Sequence, residues 1–488
     1  MTADDAFRPE ARAPRGFVDK RARDLAAERA ILQAVSKVYE SWGFEAFDTG
    51  AFEYADALGK FLPDSDRPNE GVFALQDDDE QWMALRYDLT APLARFAAQS
   101  WEGLPKPFRR YAYGPVWRNE KPGPGRFREF VQCDADTVGS ARPEADAEMV
   151  AMAAAGLEAA GLPRGAYVLK INSRKLLDGL LAQTGVSDSR QKLTVLRAVD
   201  KLDRLGWEGV KDLLGDGRLD ESGAFTKGAG LDVAGREAIG EFIDVSTRKT
   251  GVLAAMAELN LGAIGEEGLR DLELIEAVLN GLGLAADQAR FDPSVVRGLE
   301  YYTGAVFEAE LLLETTDEKG EPVRFGSVGG GGRYDDLVAR FTGQSTPATG
   351  FSFGVSRLAA ALRAAGRGSA DARGPVVVIA FDQARMADYF ALAGELRAAG
   401  VPAEVYLGTS GMKAQMKYAD RRLSPAAVMI GEDELAQGTV TIKDLDLGRE
   451  LARGLSDNKA WREGRPGQVT VPRAELIATV RAILEPAP

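Results

Sequence analysis

Apolar residues recur at helical spacing between residues 21 and 42, near the start of the chain. Side chains three and four positions apart lie on the same side of an α-helix. The residues that share this side are Leu25, Ile31, Leu32, Val35 and Val38. The pattern predicts an amphipathic helix that packs one face against a core.

Two segments rich in aromatic residues follow, and their composition is typical of β-strands. They read FRRYAYGPVWRNE (108–120) and GRFREFVQCDADTVG (125–139). The alternation of proline and glycine at 121–125 between them can form only a turn or a loop. We therefore predict a long antiparallel hairpin.

Helix-forming sequence dominates from about residue 175 to 288 and carries little that suggests chemistry, which favours an inserted helical domain. Strand-like sequence returns at VVRGLEYYTGAVFEAEL (295–311). A linker rich in glycine and alanine at 363–375 then precedes a different pattern. Strands at 376–381, 403–406 and 426–430 alternate with helices at 384–399 and 411–421, which predicts a compact parallel-sheet domain.

The composition is that of a soluble, globular protein. With 488 residues, 45% hydrophobic and 27% charged, the chain is long enough for about three domains. No apolar run approaches the ~20 residues that span a bilayer, and the acidic N-terminus is unlike a signal peptide. We expect a cytoplasmic protein that does not associate with membranes.

The chain contains no histidine, and Cys133 is its only cysteine. Imidazole acid–base catalysis, histidine-based triads and metal sites built from histidine or clustered cysteine are therefore excluded. Carboxylates, guanidinium groups, backbone amides and oxygen-bound Mg²⁺ remain, which favours phosphoryl or nucleotidyl transfer. Because the net charge is −14, nucleic acid would have to bind at local basic patches.

A cluster of arginines surrounds the predicted hairpin turn. Arg118 precedes the turn, with Glu120 two residues on, and Arg126 and Arg128 follow it. A guanidinium group can bind phosphate oxygens bidentately, and Phe130 offers an aromatic surface for adenine. An isolated strand arginine is more often a solvated surface residue, but this one has charged and aromatic neighbours.

Three further segments are candidates for a binding site. RGLEYYTG (297–304) has glycines near both ends, although an aromatic pair in a strand is more often core. GGGGRYDD (329–336) lacks the Gly-Lys-Ser/Thr of a phosphate loop and is as readily a tight bend as a binding loop. In GFSFGVSRL (350–358) a strand turns into a helix, which places Arg357 near the start of that helix.

Several of these stretches resemble the motifs of one enzyme family. Segments 84–95, 108–139 and 350–358 resemble the nucleotide-binding motifs of class II aminoacyl-tRNA synthetases. RGLEYYTG and GGGGRYDDLV resemble the signatures of the histidyl-tRNA synthetase family, while MKAQMKYADR and GEDELAQGTVTIKDL resemble its anticodon-binding domain. Several long motifs in the right order are far more specific than one glycine-rich loop.

The resemblance implies an α+β class II catalytic domain, in which helices pack on an antiparallel sheet, with a helical insertion. A C-terminal α/β anticodon-binding domain would follow, and the protein would be a homodimer. The implied boundaries are 1–174 and 289–366 for the two parts of the catalytic domain, 175–288 for the insertion and 374–488 for the last domain.

The resemblance also implies roles for individual residues. The cations that act on the reacting phosphates would be Arg118, Arg297 and Arg357. The ATP-binding residues would be Arg118, Glu120, Arg126, Phe130 and Arg357. The histidine-binding residues would be Asp88, Thr90, Gln132, Asp136, Tyr301 and Tyr302.

Within that set, Asp136 and Tyr302 would hydrogen-bond the imidazole, which presents one donor and one acceptor. Asp88, Thr90 and Gln132 would bind the α-amino group. In the C-terminal domain, Lys413, Lys417 and Arg421 recur every four residues and would form a tRNA-binding face. On spacing alone, an ordinary solvated face is about equally favoured.

The implied activity is ATP-dependent activation of L-histidine to histidyl-adenylate, with Mg²⁺ brought by ATP, and transfer to the 3′ end of tRNA-His. One alternative is the non-catalytic regulatory paralogue of ATP phosphoribosyltransferase, which resembles the catalytic domain. Another is a class II synthetase for a different amino acid. The paralogue typically lacks the phosphate-binding arginines and the C-terminal domain, both of which this chain retains.

Overall fold

The computed structural model describes residues 9–61, 71–122, 127–219, 223–245, 248, 251–296, 302–313, 315–316, 322–323, 325–367, 373–454 and 467–485. The chain divides into two compact units, Met1–Ser369 (unit 1) and Ala370–Pro488 (unit 2). Each unit has its own buried apolar core.

Unit 1 opens with the predicted amphipathic helix. The predicted helix is confirmed; of its predicted apolar face, Ile31 and Val35 are buried together with Glu28 and Tyr39, and Leu32 and Val38 pack partly buried against the core. The first elements of unit 1 are α1 (Ala22–Ser41), β1 (Glu45–Ala46), β2 (Phe52–Tyr54), β3 (Ala74–Gln76), β4 (Trp82–Leu85), α2 (Thr90–Ser100), β5 (Phe108–Trp117), β6 (Glu129–Val138), α3 (Pro143–Ala159) and β7 (Tyr167–Ser173).

The middle of unit 1 is largely helical, as its sequence predicted. Its elements are α4 (Arg174–Gln183), α5 (Ser189–Val199), α6 (Leu202–Leu214), β8 (Gly217–Leu219), β9 (Phe225–Lys227), α7 (Val233–Asp244), α8 (Val252–Ala257) and α9 (Gly262–Gly281). Strands β8 and β9 form a short antiparallel pair between the helices. Unit 1 then ends with β10 (Ala289–Phe291), β11 (Ala305–Leu311), β12 (Thr315–Thr316), β13 (Pro322–Val323), β14 (Ser327–Arg333), α10 (Ala339–Thr342), β15 (Ala348–Gly354) and α11 (Val355–Ala364).

Within the described residues, the main sheet of unit 1 has eight strands in the order β1-β5-β6-β15-β14-β11-β7-β10. The central pairs are antiparallel, and the outer pairs β1–β5 and β7–β10 are parallel. Strands β5 and β6 form the predicted hairpin, with Phe108 opposite Val138 and Trp117 opposite Glu129. Helix α3 packs on this sheet, and its buried alanines and methionines join the core.

Two details differ from the sequence-based expectations. A strand was predicted over 295–311, but in the described part it begins only at Ala305. The glycine run is neither a bend nor a loop, because it forms the interior strand β14 between β11 and β15. A Cβ atom on Gly331 would overlap the backbone carbonyl of Gly350 on β15, so the close approach of these strands explains the glycines.

Unit 2 contains β16 (Val376–Val378), α12 (Met386–Ala398), β17 (Ala403–Val405), α13 (Met412–Arg421), β18 (Ala426–Met429), α14 (Glu432–Gln437), β19 (Thr439–Asp444), α15 (Leu445–Gly454), β20 (Gln468–Pro472) and α16 (Leu476–Leu484). Strands β17, β16 and β18 are parallel, as predicted, and β19 and β20 extend the sheet in antiparallel fashion. In the parts of both units that the structure describes, no helix has the length and apolarity that crossing a membrane requires.

Candidate active site

A narrow pocket opens on the main sheet of unit 1 where β6, β15 and β14 lie side by side. Helix α2 closes one end of it with its first residue, Thr90. The other lining residues are Asp134, Asp136, Tyr302, Gly330, Gly331, Tyr334, Gly350, Phe351 and Ser352. The pocket is therefore built by segments that are distant in sequence.

Strand β6 supplies the acidic floor of the pocket. Side chains alternate between the faces of a strand, so Gln132, Asp134 and Asp136 lie on one face. They are 9%, 1% and 2% exposed, respectively. Cys133 and Ala135 lie on the opposite face and belong to the apolar core.

Asp136 is held from two sides. Its Oδ2 forms an ion pair with Nη2 of Arg110 at 2.9 Å, and Arg110 lies directly opposite it on β5. Its Oδ1 accepts a hydrogen bond from the Tyr334 hydroxyl. A Cβ atom on Gly350 would overlap this carboxylate, so the Asp136 side chain can lie over β15 only because residue 350 is a glycine.

The electrostatics of this pair follow from burial. Burial raises the pKa of Asp136, while the Arg110 charge and the Tyr334 hydrogen bond oppose that rise. Arg110 is completely buried and also donates to the backbone carbonyl of Leu89 at 2.8 Å. It can therefore hold Asp136 in one orientation.

Asp88 precedes α2 and caps its first turn. Its Oδ1 accepts hydrogen bonds from the backbone amides of Thr90 at 3.2 Å and Ala91 at 2.9 Å. These amides lie at the positive end of the helix dipole, which favours a carboxylate there. The cap fixes Thr90 at the wall of the pocket.

The ends of the two signature stretches come together beside the pocket. The Thr303 hydroxyl donates to Asp335 Oδ2 at 3.0 Å, and the Asp335 amide donates back to the same hydroxyl at 3.1 Å. Gly332 has no room for a side chain, because a Cβ atom there would lie 2.5 Å from the Ala305 carbonyl oxygen and 3.0 Å from Tyr302 Cδ1. Arg297 and Tyr301 lie outside the described residues.

Arg118 lies just after β5, at the edge of the hairpin. Its Nε donates to the backbone carbonyl of Tyr87 at 3.2 Å, and its guanidinium carbon lies 5.1 Å from the centre of the Phe130 ring. The sequence therefore correctly grouped Arg118 with Phe130. Glu120 is exposed and its carbonyl accepts from Arg128 Nε at 2.9 Å, whereas Arg126 lies outside the described residues.

Helix α11 begins near the first residues of β6. The backbone amide of Val131 donates to Ser356 Oγ at 3.1 Å, and the Ser356 hydroxyl donates to Glu28 of α1 at 2.6 Å. The next residue, Arg357, is the third residue of α11 and donates to the backbone carbonyl of Phe325. Its predicted position near the start of a helix is confirmed.

Comparison with known proteins follows the same division of the chain. A family model described as histidyl-tRNA synthetase matches residues 16–358, and one described as anticodon binding domain matches 375–483. Histidine–tRNA ligase of Caulobacter vibrioides is 74% identical over 98% of this chain and 97% of its own length. The Cereibacter sphaeroides ligase is 56% identical over 99% of this chain and all of its own length.

The chain belongs to the histidyl-tRNA synthetase family. The resemblance read from the motifs is thereby confirmed, and so is the predicted fold class. The crystal structure of histidyl-tRNA synthetase from Nostoc sp. PCC 7120 covers 97% of this chain with a TM-score of 0.70 and 27% identity. That protein is itself covered to 99%.

In this member of the histidyl-tRNA synthetase family, sequence reasoning missed several residues that line the pocket or pair with its carboxylates. Asp134 could have been found by applying the two-residue period of a strand to β6. Tyr334 lies in the signature stretch GGGGRYDD, whose most conspicuous local signal is its glycines. Ser352 and Arg110 carry no local signal, because only strand pairing brings them beside β6.

The anticodon-binding domain of the family corresponds to unit 2, and helix α13 lies within it. Gln415 and Ala419 are buried on one side of α13, and Gln415 binds both the amide and the carbonyl of Ala380. The exposed side carries what we term the α13 basic face, which consists of Lys413, Lys417 and Arg421. Arg422, beside it, is engaged by both carboxylate oxygens of Glu404 at 3.1 Å.

Proposed function

We propose that this protein is a histidine–tRNA ligase, which converts L-histidine and ATP into histidyl-adenylate and transfers the histidyl group to tRNA-His. The two named relatives, which match over 97% and 100% of their lengths, carry that name. The observation in the pocket that supports it most is the fixed carboxylate of Asp136. Its Oδ1 accepts from Tyr334, while its buried Oδ2 is ion-paired with Arg110 and has no hydrogen-bond partner among the described residues, so it can accept the N–H of an imidazole.

The proposed chemistry needs no protein base. An oxygen of the histidine carboxylate attacks the α-phosphorus of ATP, and the bond from that phosphorus to the bridging oxygen of pyrophosphate breaks. Arg118 would bind the α-phosphate bidentately, with Phe130 against the adenine, and Arg357 would neutralise the γ-phosphate. Arg297 would be a third cation at the reaction centre.

The transfer step regenerates the site. The terminal 3′-sugar hydroxyl of tRNA-His attacks the carbonyl of histidyl-adenylate, an ester bond forms and AMP leaves. Mg²⁺ would arrive on ATP and be held largely by phosphate oxygens, as is usual for this ion. The described residues contain no group of three carboxylate or cysteine side chains that could hold a metal on their own.

A homodimer is part of the proposal, and an apolar sheet face supports it. Phe52, Tyr54 and Leu75 of the sheet β2-β4-β3 are 45%, 56% and 44% exposed. The strand register places Met83 and Leu85 on the same face as these three residues. A second copy would bury this face, and Tyr54→Lys should shift the protein towards the monomer in light scattering.

Recognition of tRNA would use unit 2. The α13 basic face would bind phosphates, and exposed apolar side chains lie at the ends of the neighbouring strands. Phe381 follows β16 and is 46% exposed, and Leu407 follows β17 and is 73% exposed. Unpaired bases stack on such surfaces, so these residues would contact the anticodon.

Exchange of pyrophosphate into ATP, measured with each of the twenty amino acids, tests the proposal. Exchange should require histidine, and the enzyme should then charge tRNA-His. Exchange with a different amino acid would favour a synthetase of other specificity. A folded protein that supports no exchange would favour the regulatory paralogue.

A further inference from the structure

Three buried side-chain oxygens on one face of β6 have no hydrogen-bond partner among the described residues. They are Oε1 of Gln132, Oδ1 of Asp134 and Oδ2 of Asp136; the last has its ion pair with Arg110, which leaves the first two for a further donor. Asp134 is 1% exposed and lines the pocket, two residues from Gln132 on the same face of the strand. Buried acceptors without donors are unfavourable, so their presence in a binding pocket points to a donor that a ligand supplies.

Ser352 orients the side chain of Gln132 beside Asp134. It lies opposite Asp134 on β15, and its influence on that carboxylate favours the charged form. Its hydroxyl oxygen accepts a hydrogen bond from Gln132 Nε2 at 2.8 Å. The amide of Gln132 is thereby oriented with Oε1 left without a donor, two residues along β6 from the unpartnered Oδ1 of Asp134.

The charge balance at the same place favours a cation. Asp134 and Asp136 are both buried, and both are influenced by the charge of Asp88. Arg110 is the cation that stabilises the charged forms of both, and its ion pair is with Asp136. Burial and the neighbouring Asp136 raise the pKa of Asp134 to about 8, which shows that the fold does not compensate this carboxylate by itself.

We propose that Asp134 is a further substrate-binding residue, which together with Gln132 Oε1 accepts hydrogen bonds from the α-ammonium group of the amino acid. An ammonium group offers three donors and a positive charge, and it has no acceptor. It therefore satisfies both orphaned acceptors and the excess of carboxylates at once. A neutral imidazole offers a single N–H and no charge, and Asp136 is the carboxylate already oriented for it.

This inference rests on the proposed function, because it takes histidine as the ligand. Its test compares two inhibitors of histidine-dependent pyrophosphate exchange. Histidinol keeps the ring and the ammonium group but lacks the carboxylate. Imidazolepropionate keeps the ring and the carboxylate but lacks the ammonium group. The inhibition constants are measured for the wild type and for Asp134→Asn, which has the same shape without the charge.

Loss of a charge-assisted hydrogen bond to the ammonium group should weaken histidinol by about 10- to 100-fold in Asp134→Asn. The KM for histidine should rise in parallel, while binding of imidazolepropionate should change by less than about threefold. Cys133→Ala, at the adjacent buried position facing the core, is the matched control and should weaken both inhibitors equally or neither. Inhibition constants do not depend on the folded fraction, so partial unfolding of a variant does not obscure the comparison.

The outcomes distinguish a failure of the proposed function from a failure of the role of Asp134 alone. If the wild type shows no histidine-dependent exchange, the proposed function fails and this inference fails with it. If the wild type exchanges normally and Asp134→Asn weakens both inhibitors equally, Asp134 supports the pocket without binding the ammonium group. If neither inhibitor is weakened, Asp134 does not bind the substrate.

Discussion

The buried carboxyl of Asp134 should make the protein less stable as the pH rises, whatever the pocket binds. Its pKa in the folded state is about 8, against 3.8 for an ordinary aspartate. Between these values the folded protein retains a proton that the unfolded chain has lost. Stability is therefore fully present below pH ~4 and is lost progressively until the pH passes about 8.

Replacing the group with asparagine removes this loss. From pH 6 up to the folded pKa is about two pH units, and over each of them the wild type loses about 1.4 kcal/mol of its free energy of unfolding. Asp134→Asn should therefore gain about 3 kcal/mol over the wild type on going from pH 6 to pH 9. In a unit of this size that corresponds to a few degrees in melting temperature.

Scanning calorimetry of both proteins at the two pH values measures this difference, and titrating groups that do not interact with Asp134 cancel in the comparison. Asp78→Asn removes the same charge from an exposed position and should show no such gain. If Asp134→Asn has the same advantage at pH 6 and pH 9, or is the less stable protein at pH 9, burial does not raise the pKa of Asp134. A gain in stability together with weaker histidinol binding would be the exchange of stability for function that binding sites often show.

Three further perturbations address other parts of the molecule. Arg118→Ala should lower the rate of pyrophosphate exchange by about 10²–10³, and Arg118→Lys should restore little because lysine cannot bind bidentately; near-normal exchange in the alanine variant would remove its phosphate role. Neutralising the α13 basic face should flatten the salt dependence of tRNA binding, while pyrophosphate exchange is kept as the internal control; an unaltered slope would place the RNA contacts elsewhere. Arg333→Ala should destabilise unit 1 by about 3–5 kcal/mol, since it leaves the carboxylate of Asp146 buried without its partner at 2.6 Å, and a calorimetric shift below about 1 kcal/mol would contradict this.

Local sequence patterns were sufficient to predict the secondary-structure elements whose residues follow a clear periodicity or flank a clear turn. Helix α1 follows from apolar spacing, and the β5–β6 hairpin follows from two strand-like segments around a turn that proline and glycine enforce. The two-residue period of β6 then places Gln132, Asp134 and Asp136 on one face. The period does not predict which residues of the neighbouring strand β15 contact β6. Ser352 is 220 residues from Gln132, and their hydrogen bond depends on the topology of the whole sheet.

The glycine run shows where a local rule gives the wrong answer. Glycine weakens an isolated strand, so a series of them predicts a bend or a loop. In β14 the neighbouring strand β15 approaches so closely that a side chain at Gly331 would overlap its backbone. The requirement comes from a contact between segments, and residue preferences measured along the chain do not contain it.

Arg333 and Arg118 also differ in a way that the sequence does not show. Composition alone cannot distinguish an arginine that stabilises the fold from one that binds a ligand. Arg333 is 5% exposed; its Nε and Nη2 bind Asp146, and Nη1 binds the carbonyl of Ser140. Its hydrogen-bonding capacity is directed into the fold, so it can position the adjoining Tyr334 but has little to offer a substrate. Arg118 is half-buried at the edge of the hairpin, where its described contacts are one backbone carbonyl and the Phe130 ring. A guanidinium that the fold orients through one nitrogen and an aromatic ring can still bind an anion, as the proposed phosphate role of Arg118 requires, and this difference in burial and hydrogen bonding distinguishes it from Arg333.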